Sequence, residues 1–421
     1  MKTEQVDVLV IGAGPAGTVA ASIIHQAGYK VKIVEKQKFP RFVIGESLLP
    51  RSMEALDEAG FIPAIKQKGF QEKSGAKFVK GNAVCDFTFK EQYTSGWNWT
   101  WQVTRADFDK TLADTCESMG IPIAYETTVT AIRFNGQDSV TTVEDAQGNS
   151  SEIQARFIVD GSGYGRVIPR LFNLEKHSMM QPRRALFAHT NDVRRSMADE
   201  PNRITAVVHQ KGVWIWIIPF ATGITSLGFV GNPEFFDQYP GTPEQQYRAL
   251  LEAEPYTRER FRDVELVFEP RVLQSWSATT DKFYGDGFVL TGNVTEFLDP
   301  IFSSGVTLAC VSSQTAAKLV IRKLKGEAVD WEAGYMAPTL QGVNTFRSYV
   351  MAWYEGTLDT IFFKENPDPK VKQQICSVLA GYVWDMSNPF VKEHDTALKR
   401  LARTIELRTK IDKLNSELEQ Q

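Results

Sequence analysis

Three glycines and one carboxylate near the start of the chain have the types and spacing to hold a dinucleotide. Gly12, Gly14 and Gly17 stand in G-x-G-x-x-G register directly after the apolar run VDVLVI, residues 6–11. The first glycine permits a tight turn, the second lets backbone approach a pyrophosphate, and the third allows the following helix to pack closely on the strand. That helix begins near Pro15 and runs to about Gln26. The unpaired N–H groups and positive dipole at its start favour phosphate without any basic side chain. A second strand, residues 30–34 (KVKIV), ends at Glu35. This is the offset, about 20 residues on, where an acid accepts from ribose hydroxyls, and an acid there argues against a 2′-phosphate. FAD and NAD both use this arrangement, so the fingerprint alone does not separate them.

Other chemistries have little to work with. The histidines (His25, His177, His189, His209, His394) never fall at i, i+4 beside a carboxylate, so no metal site is expected. Cys85, Cys116, Cys310 and Cys376 form no C-x-x-C pair, which predicts reduced, mostly buried thiols. The net charge of -4 offers no general attraction for nucleic acid or anionic lipid. No apolar run approaches the roughly 18 residues of a membrane span, so no transmembrane segment is expected and the protein reads as cytoplasmic.

Further segments widen the pattern: FPRFVIGESLLP (residues 39–50), VTRADFD (103–109), FIVDGSG (157–163) and FVLTGNVTEFLDPIFSSGVTLA (288–309). In this order, over about residues 5–320, the chain resembles the FAD-dependent halogenase and aromatic monooxygenase superfamily, which includes the p-hydroxybenzoate hydroxylase-like enzymes. The resemblance implies FAD. It implies that Glu46 and Ser47 lie along the flavin, that Arg105 contacts the FAD phosphates, and that Asp160 and Gly161 face the dinucleotide. Ala16, Lys36, Arg41, Pro300, Gly305 and Val306 complete the implied cofactor-binding set. One position departs from the family. Where Gly-Asp is usual, this chain has Gly292 and Asn293, which keeps an acceptor for the ribityl chain but loses its charge.

Two features resemble the halogenase branch more narrowly. The run VWIWIIPF contains W-x-W-x-I-P, whose Trp214 and Trp216 would wall the flavin off from the organic substrate; as a bare pattern it is also an ordinary half-buried strand. Lys73 in KSGAKF resembles the lysine that directs the halogenating species, although Lys66, Lys68, Lys77 and Lys80 stand close by. The implied mechanism takes reduced FAD and O₂ to a flavin C4a-hydroperoxide, which oxidises halide bound near Ser304 and Gly305 to hypohalous acid. Lys73 then presents electrophilic halogen to a phenol or pyrrole. Burial would favour the neutral amine. Phe302 stands where halogenases of free tryptophan carry a glutamate, so a phenolic or pyrrolic substrate fits better. This small aromatic substrate arrives free or tethered to a carrier protein, and a separate flavin reductase is an expected partner. Three alternatives remain: an aromatic hydroxylase using NAD(P)H, a geranylgeranyl reductase-like enzyme, and a non-catalytic FAD-binding electron-transfer protein.

The elements that must position these residues follow from size and pattern. A chain of 421 residues exceeds what one core usually organises. The expected fold is α/β: a Rossmann-type FAD-binding domain with an inserted antiparallel-sheet substrate domain and a helical C-terminal region. The FAD-binding domain is expected over 1–75, 100–175 and 275–330, the substrate domain over 76–99 and 176–274, and the helical region over 331–421. Alternation at residues 97–103 (WNWTWQV), 205–209 and 224–230 predicts strands of the substrate sheet. Residues 343–363 read as a helical cover on the substrate side, with Tyr354 either facing the cavity or, as the plainer reading, packed in a core. Leu398, Leu401, Ile405, Ile411, Leu414 and Leu418 read as one helical face that packs on its own chain, with a short coiled-coil contact as the alternative and a break near Arg408.

Overall fold

The computed structural model describes residues 3–176, 178, 180–274 and 277–419. It divides into two compact units. The first comprises Met1–Phe70, Trp101–Gln181 and Ser277–Val343; the second comprises Gln71–Thr100, Pro182–Trp276 and Asn344–Gln421.

The first unit is built on an eight-stranded sheet whose main path runs Tyr284–Gly285, Phe288–Leu290, Ser150–Asp160, Thr3–Ile11, Val31–Val34, Ile123–Ala124. All neighbours on that path are parallel except the first pair. The central strands are rich in valine and isoleucine because helices cover them, as burial of both faces requires. Val8, Leu9 and Val10 are wholly enclosed. The helix Pro15–Gln26 packs on the helix Ser304–Leu324, and Gly28, at φ +89°, ends the first of these in the left-handed region that glycine permits.

The second unit carries a seven-stranded sheet in the order Arg271–Gln274, Arg184–Asn191, Ile224–Gly231, Val213–Pro219, Thr205–Gln210, Gly75–Lys80, Ala83–Thr88. Its pairs are antiparallel except Thr205–Gln210 with Gly75–Lys80. Every residue of Val213–Pro219 is buried, so both faces are covered. Val213, Ile215 and Ile217 enter a core with Phe229, Phe236, Tyr247 and Leu250, and the period of two sends Trp214 and Trp216 to the other face. Helices Thr357–Phe362, Pro369–Leu379, Pro389–Lys392 and His394–Glu419 follow.

Two expectations are corrected. Of residues 97–103 only Thr100–Gln102 is a strand, and it lies outside the seven-stranded sheet. Gly96, at φ +146°, abuts the Tyr382 ring, and the Tyr382 hydroxyl donates to the Trp97 carbonyl at 2.9 Å, occupying an acceptor that a strand ladder would use. The C-terminal apolar residues do not share one face. Ala397, Leu398, Ala402 and Ile405 are buried, whereas Ile411, Leu414 and Leu418 are exposed. Gln420 and Gln421, expected to be helical, lie outside the described residues. Among the described residues no helix is long and apolar enough to cross a membrane.

Candidate active site

Four strand ends meet at one level of the first unit's sheet. Leu290, Asp160, Ile11 and Val34 are paired in register, and the chain leaves them as Gly292, Gly161, Gly12 and Glu35, each within two residues. The turns are stitched together: Gly12 N–H donates to Val34 at 2.8 Å, Gly161 N–H to Ile11 at 2.9 Å and Thr291 N–H to Asp160 at 2.9 Å. Segments far apart in sequence thus form one rim at the carboxyl ends of parallel strands, where ligands of such sheets bind.

At Gly12 and Gly17 no side chain fits. A Cβ on Gly17 would lie 1.8 Å from the Gly12 carbonyl oxygen, and one on Gly12, already at φ +94°, would lie 2.7 Å from the Gly161 oxygen. Gly14 faces Arg41 instead, with its ideal Cβ position 3.3 Å from Nη2. The helix that begins after Gly14 has no side-chain cap, and its first turn, which includes Ala16, has no acid. Arg41 makes an ion pair with Asp109 at 3.1 Å and approaches Glu35 at 4.0 Å. The same Asp109, wholly buried, takes Nε and Nη2 of Arg105 at 2.8 and 3.0 Å, while Arg105 Nη1 donates to the carbonyls of Ile44 and Gly45. An anchored guanidinium beside an uncapped helix start fits a pyrophosphate.

Glu35 accepts from Ala13 N–H at 2.8 Å and Gln37 N–H at 2.9 Å, binding the second strand end to the glycine loop, while Lys36 is exposed. Glu46 and Ser47 are buried, and Ser47 bridges to Gln102. The Asp160 carboxylate turns into its own loop. It accepts from Ser162 N–H at 3.0 Å and Ile168 N–H at 2.8 Å, and burial raises its pKa.

The last rim segment carries Gly292, Asn293, Pro300, Ser304, Gly305 and Val306, and it sets Gly305 close to Asn293. Gly292, at φ +61°, fits against Ala16 and Ala309, and its N–H donates to Ser312 Oγ at 3.0 Å. Asp299 Oδ1 accepts from Ile301 N–H at 3.1 Å, holding a short turn from Pro300 to Phe302. Ser303 then enters the left-handed region at φ +56°, and the helix Ser304–Leu324 starts without a side-chain cap or an acid in its first turn. Gly305 leaves room there: a Cβ would be 3.8 Å from Phe297 and 3.9 Å from Asn293 Oδ1.

The second unit holds the remaining residues. Lys73 ends the strand Gln71–Lys73 and is only 3% exposed. Its Nζ sits 5.5 Å from the Phe89 ring centroid. Burial first, and then the Arg203 charge, lower its pKa to about 7. Arg203 itself is fixed by Asp86 at 3.0 Å, Glu200 at 3.1 Å and Ser74 Oγ at 3.2 Å. Trp214 and Trp216 lie with ring centroids 6.0 Å apart. Each indole is pinned: Trp214 Nε1 donates to Tyr354 Oη and Trp216 Nε1 to Ser226 Oγ, both at 3.0 Å. Gly228, opposite Trp216 in register, makes room for its ring. Arg183 covers Tyr354, its guanidinium carbon 3.7 Å from the ring centroid.

Sequence reasoning does not single out Asp109 or Arg203, and it prefers core packing for Tyr354, which is half-buried and accepts from the Trp214 indole. The i, i+4 spacing of Arg105 and Asp109 was a readable sign of the first.

A glycine turn at the carboxyl ends of a doubly wound parallel sheet, with a bare helix start behind it, is the arrangement of a dinucleotide-binding protein. The chain belongs to the FAD binding domain family, whose profile matches residues 5–332. It is similar to the 1H-pyrrole-2-carbonyl-(peptidyl-carrier protein) chlorinase of Pseudomonas fluorescens, with 26% identity over 409 residues, or 91% of each chain. Among solved structures it is similar to a flavoprotein/dehydrogenase from Cytophaga hutchinsonii, with 60% identity and TM-score 0.95 over 96% of this chain and 100% of that one. It is also similar to the myxobacterial chondrochloren halogenase, with 25% identity and TM-score 0.75 over 96% and 97%. The protein is an FAD-dependent oxidoreductase, and its relatives include flavin-dependent halogenases.

Proposed function

We propose that this protein halogenates an electron-rich aromatic ring of the pyrrole or phenol type, presented on a carrier protein in the cytoplasm, with FAD reduced by a separate flavin reductase. The observation that carries the reading is Lys73, a lysine with almost no exposure whose pKa is lowered to about 7. An ordinary surface lysine, with a pKa near 10, would be protonated almost completely. Similarity along nine-tenths of the chain to a chlorinase of carrier-bound pyrrole supports the substrate class.

When bound, reduced FAD with O₂ supplies the two-electron oxidation of halide to hypohalous acid. The glycine loop from Gly12 to Gly17, with Ala16 and Arg41, would hold the pyrophosphate, and Glu35 the ribose. Arg105, Glu46, Ser47, Gly292 and Asn293 would line the rest of the cofactor, with Lys36, Asp160, Gly161, Pro300 and Val306 shaping its surroundings. The bare N–H groups at Ser304 and Gly305 would hold the halide. At neutral pH Lys73 has both forms available. Its free amine can take up electrophilic halogen, and its ammonium can donate a hydrogen bond to hypohalous acid. The ring then gains a carbon–halogen bond and loses a proton. Trp214 and Trp216, pinned by Tyr354 and Ser226, would keep the ring away from the flavin and favour halogen over oxygen transfer. On this reading the first unit binds FAD and the second handles the substrate.

The test is intact-mass analysis of a pyrrolyl carrier protein incubated with the FAD-loaded enzyme, chloride or bromide, O₂, NADH and a flavin reductase. A halogen isotope pattern that disappears in Lys73→Met is expected. An oxygenated product without halogen would overturn the reading in favour of a hydroxylase, as would rapid flavin reduction by NADH or NADPH without the reductase.

A further inference from the structure

The helix His394–Glu419 has two apolar stripes on opposite faces. Ala397, Leu398, Ala402 and Ile405 are buried within the unit. Leu407, Ile411, Leu414 and Leu418 are 51%, 54%, 59% and 69% exposed. With about 3.6 residues per turn, the second stripe lies about half a turn from the first. Continuing the buried stripe past Ile405 leads instead to Thr409, Asp412 and Ser416. The surface that covers the first half of the helix therefore faces away from the second stripe. The alternating spacing of 407, 411, 414 and 418 by four, three and four residues is the a/d seam of a two-stranded coiled coil.

We propose that this seam docks against the same seam of a second copy of the chain, with the two helices antiparallel. The flanking charges select both the occupant and the direction. With Leu407 and Leu414 at d and Ile411 and Leu418 at a, Lys410 and Glu417 take g, Arg408 and Asn415 take e, and Arg403 takes the preceding g. A parallel pair would oppose Arg403 to Arg408 and leave Lys410 facing Asn415. An antiparallel pair opposes Lys410 to Glu417 of the second copy, twice by symmetry, while Ile411 meets Leu414 and Leu407 meets Leu418. The seam is small, so the dimer is concentration-dependent. A two-fold axis crosses it, as expected for a self-complementary patch.

The test is sedimentation velocity of the full, FAD-loaded chain over a concentration series. A reversible monomer–dimer equilibrium is expected for the wild type. Ile411→Glu with Leu414→Glu should raise the dissociation constant at least about 30-fold, with far-UV circular dichroism and FAD content unchanged because both side chains face solvent. Lys410→Glu and Glu417→Lys should each weaken the dimer, and the two together should restore it. A wild type that stays monomeric throughout would overturn the proposal, as would a dimer that survives Ile411→Glu with Leu414→Glu. Failure of the combined charge exchange to restore affinity would overturn the antiparallel arrangement.

Discussion

Asp109 holds the Arg41 guanidinium at 3.1 Å with a buried carboxylate that is simultaneously paired with Arg105. The two residues therefore answer differently to substitution. Asp109→Asn removes the carboxylate paired with Arg105, leaves Arg41 only its longer approach to Glu35, and should destabilise the fold by about 3 kcal/mol. Arg41→Met removes a cation from the mouth of the glycine loop. It should weaken FAD binding by about tenfold at a smaller cost in stability. Denaturant unfolding of the apoprotein and flavin fluorescence titration separate the two outcomes. Unchanged FAD affinity in Arg41→Met would remove Arg41 from the pyrophosphate site.

The fingerprint glycines should also divide. A Cβ on Gly17 meets the Gly12 carbonyl oxygen at 1.8 Å, a backbone atom that cannot move without breaking the strand–helix contact. Gly17→Ala should cost about 3 kcal/mol or more and abolish FAD retention. A Cβ on Gly14 meets only the end of a flexible arginine at 3.3 Å. Gly14→Ala should fold with nearly normal stability while losing affinity for FAD. Thermal unfolding of both apoproteins checks the contrast, and equal destabilisation would contradict it.

Lys73 makes stability depend on pH. Its folded pKa of about 7 lies below the unfolded value of 10.5. Between these values the unfolded chain binds a proton that the folded chain does not, so this residue's contribution to stability rises with pH. Below about pH 7 the fold must carry the buried charge, and the full penalty, on the order of 5 kcal/mol, is present. Lys73→Met should therefore be more stable than wild type at pH 6, and the difference should shrink steadily towards pH 10. Urea unfolding at several pH values measures it. A difference independent of pH would mean that Lys73 is not buried as described.

These contrasts show what was legible in the sequence. Gly12, Gly14, Gly17 and Glu35 could be read directly because a strand, a turn, a helix and a second strand follow one another without interruption. The distant segments around Arg105, Asp160 and Gly292 were reachable only through family resemblance, since parallel pairing brings them to one rim from across the chain. Asp109 stayed hidden because an i, i+4 Arg–Asp pair on a helix usually lies on the surface. Its importance depends on Arg41 arriving from another segment. The aromatic alternation of WNWTW suggested a sheet strand, but Gly96 and the Tyr382 hydroxyl hold its first residues in a loop. In the C-terminal helix the apolar residues are visible in the sequence, but their spacing alone does not tell that Ile411, Leu414 and Leu418 lie about half a turn from the buried Ile405 stripe.

Asn293 gives the last prediction, since it replaces a carboxylate that the family usually carries. Its Oδ1 lies 3.9 Å from the ideal Cβ position of Gly305, at the start of the helix proposed to hold halide. On the proposed placement of Asn293 beside the ribityl chain, a carboxylate there would strengthen the bond accepted from its hydroxyl, because charged acceptors bond about twice as strongly as neutral ones. The same negative charge would repel an anion at Ser304 and Gly305. Asn293→Asp should therefore bind FAD several-fold more tightly and require more halide for half-maximal turnover. Flavin titration measures the first effect and halide saturation of product formation the second. Tighter FAD binding with an unchanged halide requirement would separate Asn293 from the halide site while keeping it beside the cofactor.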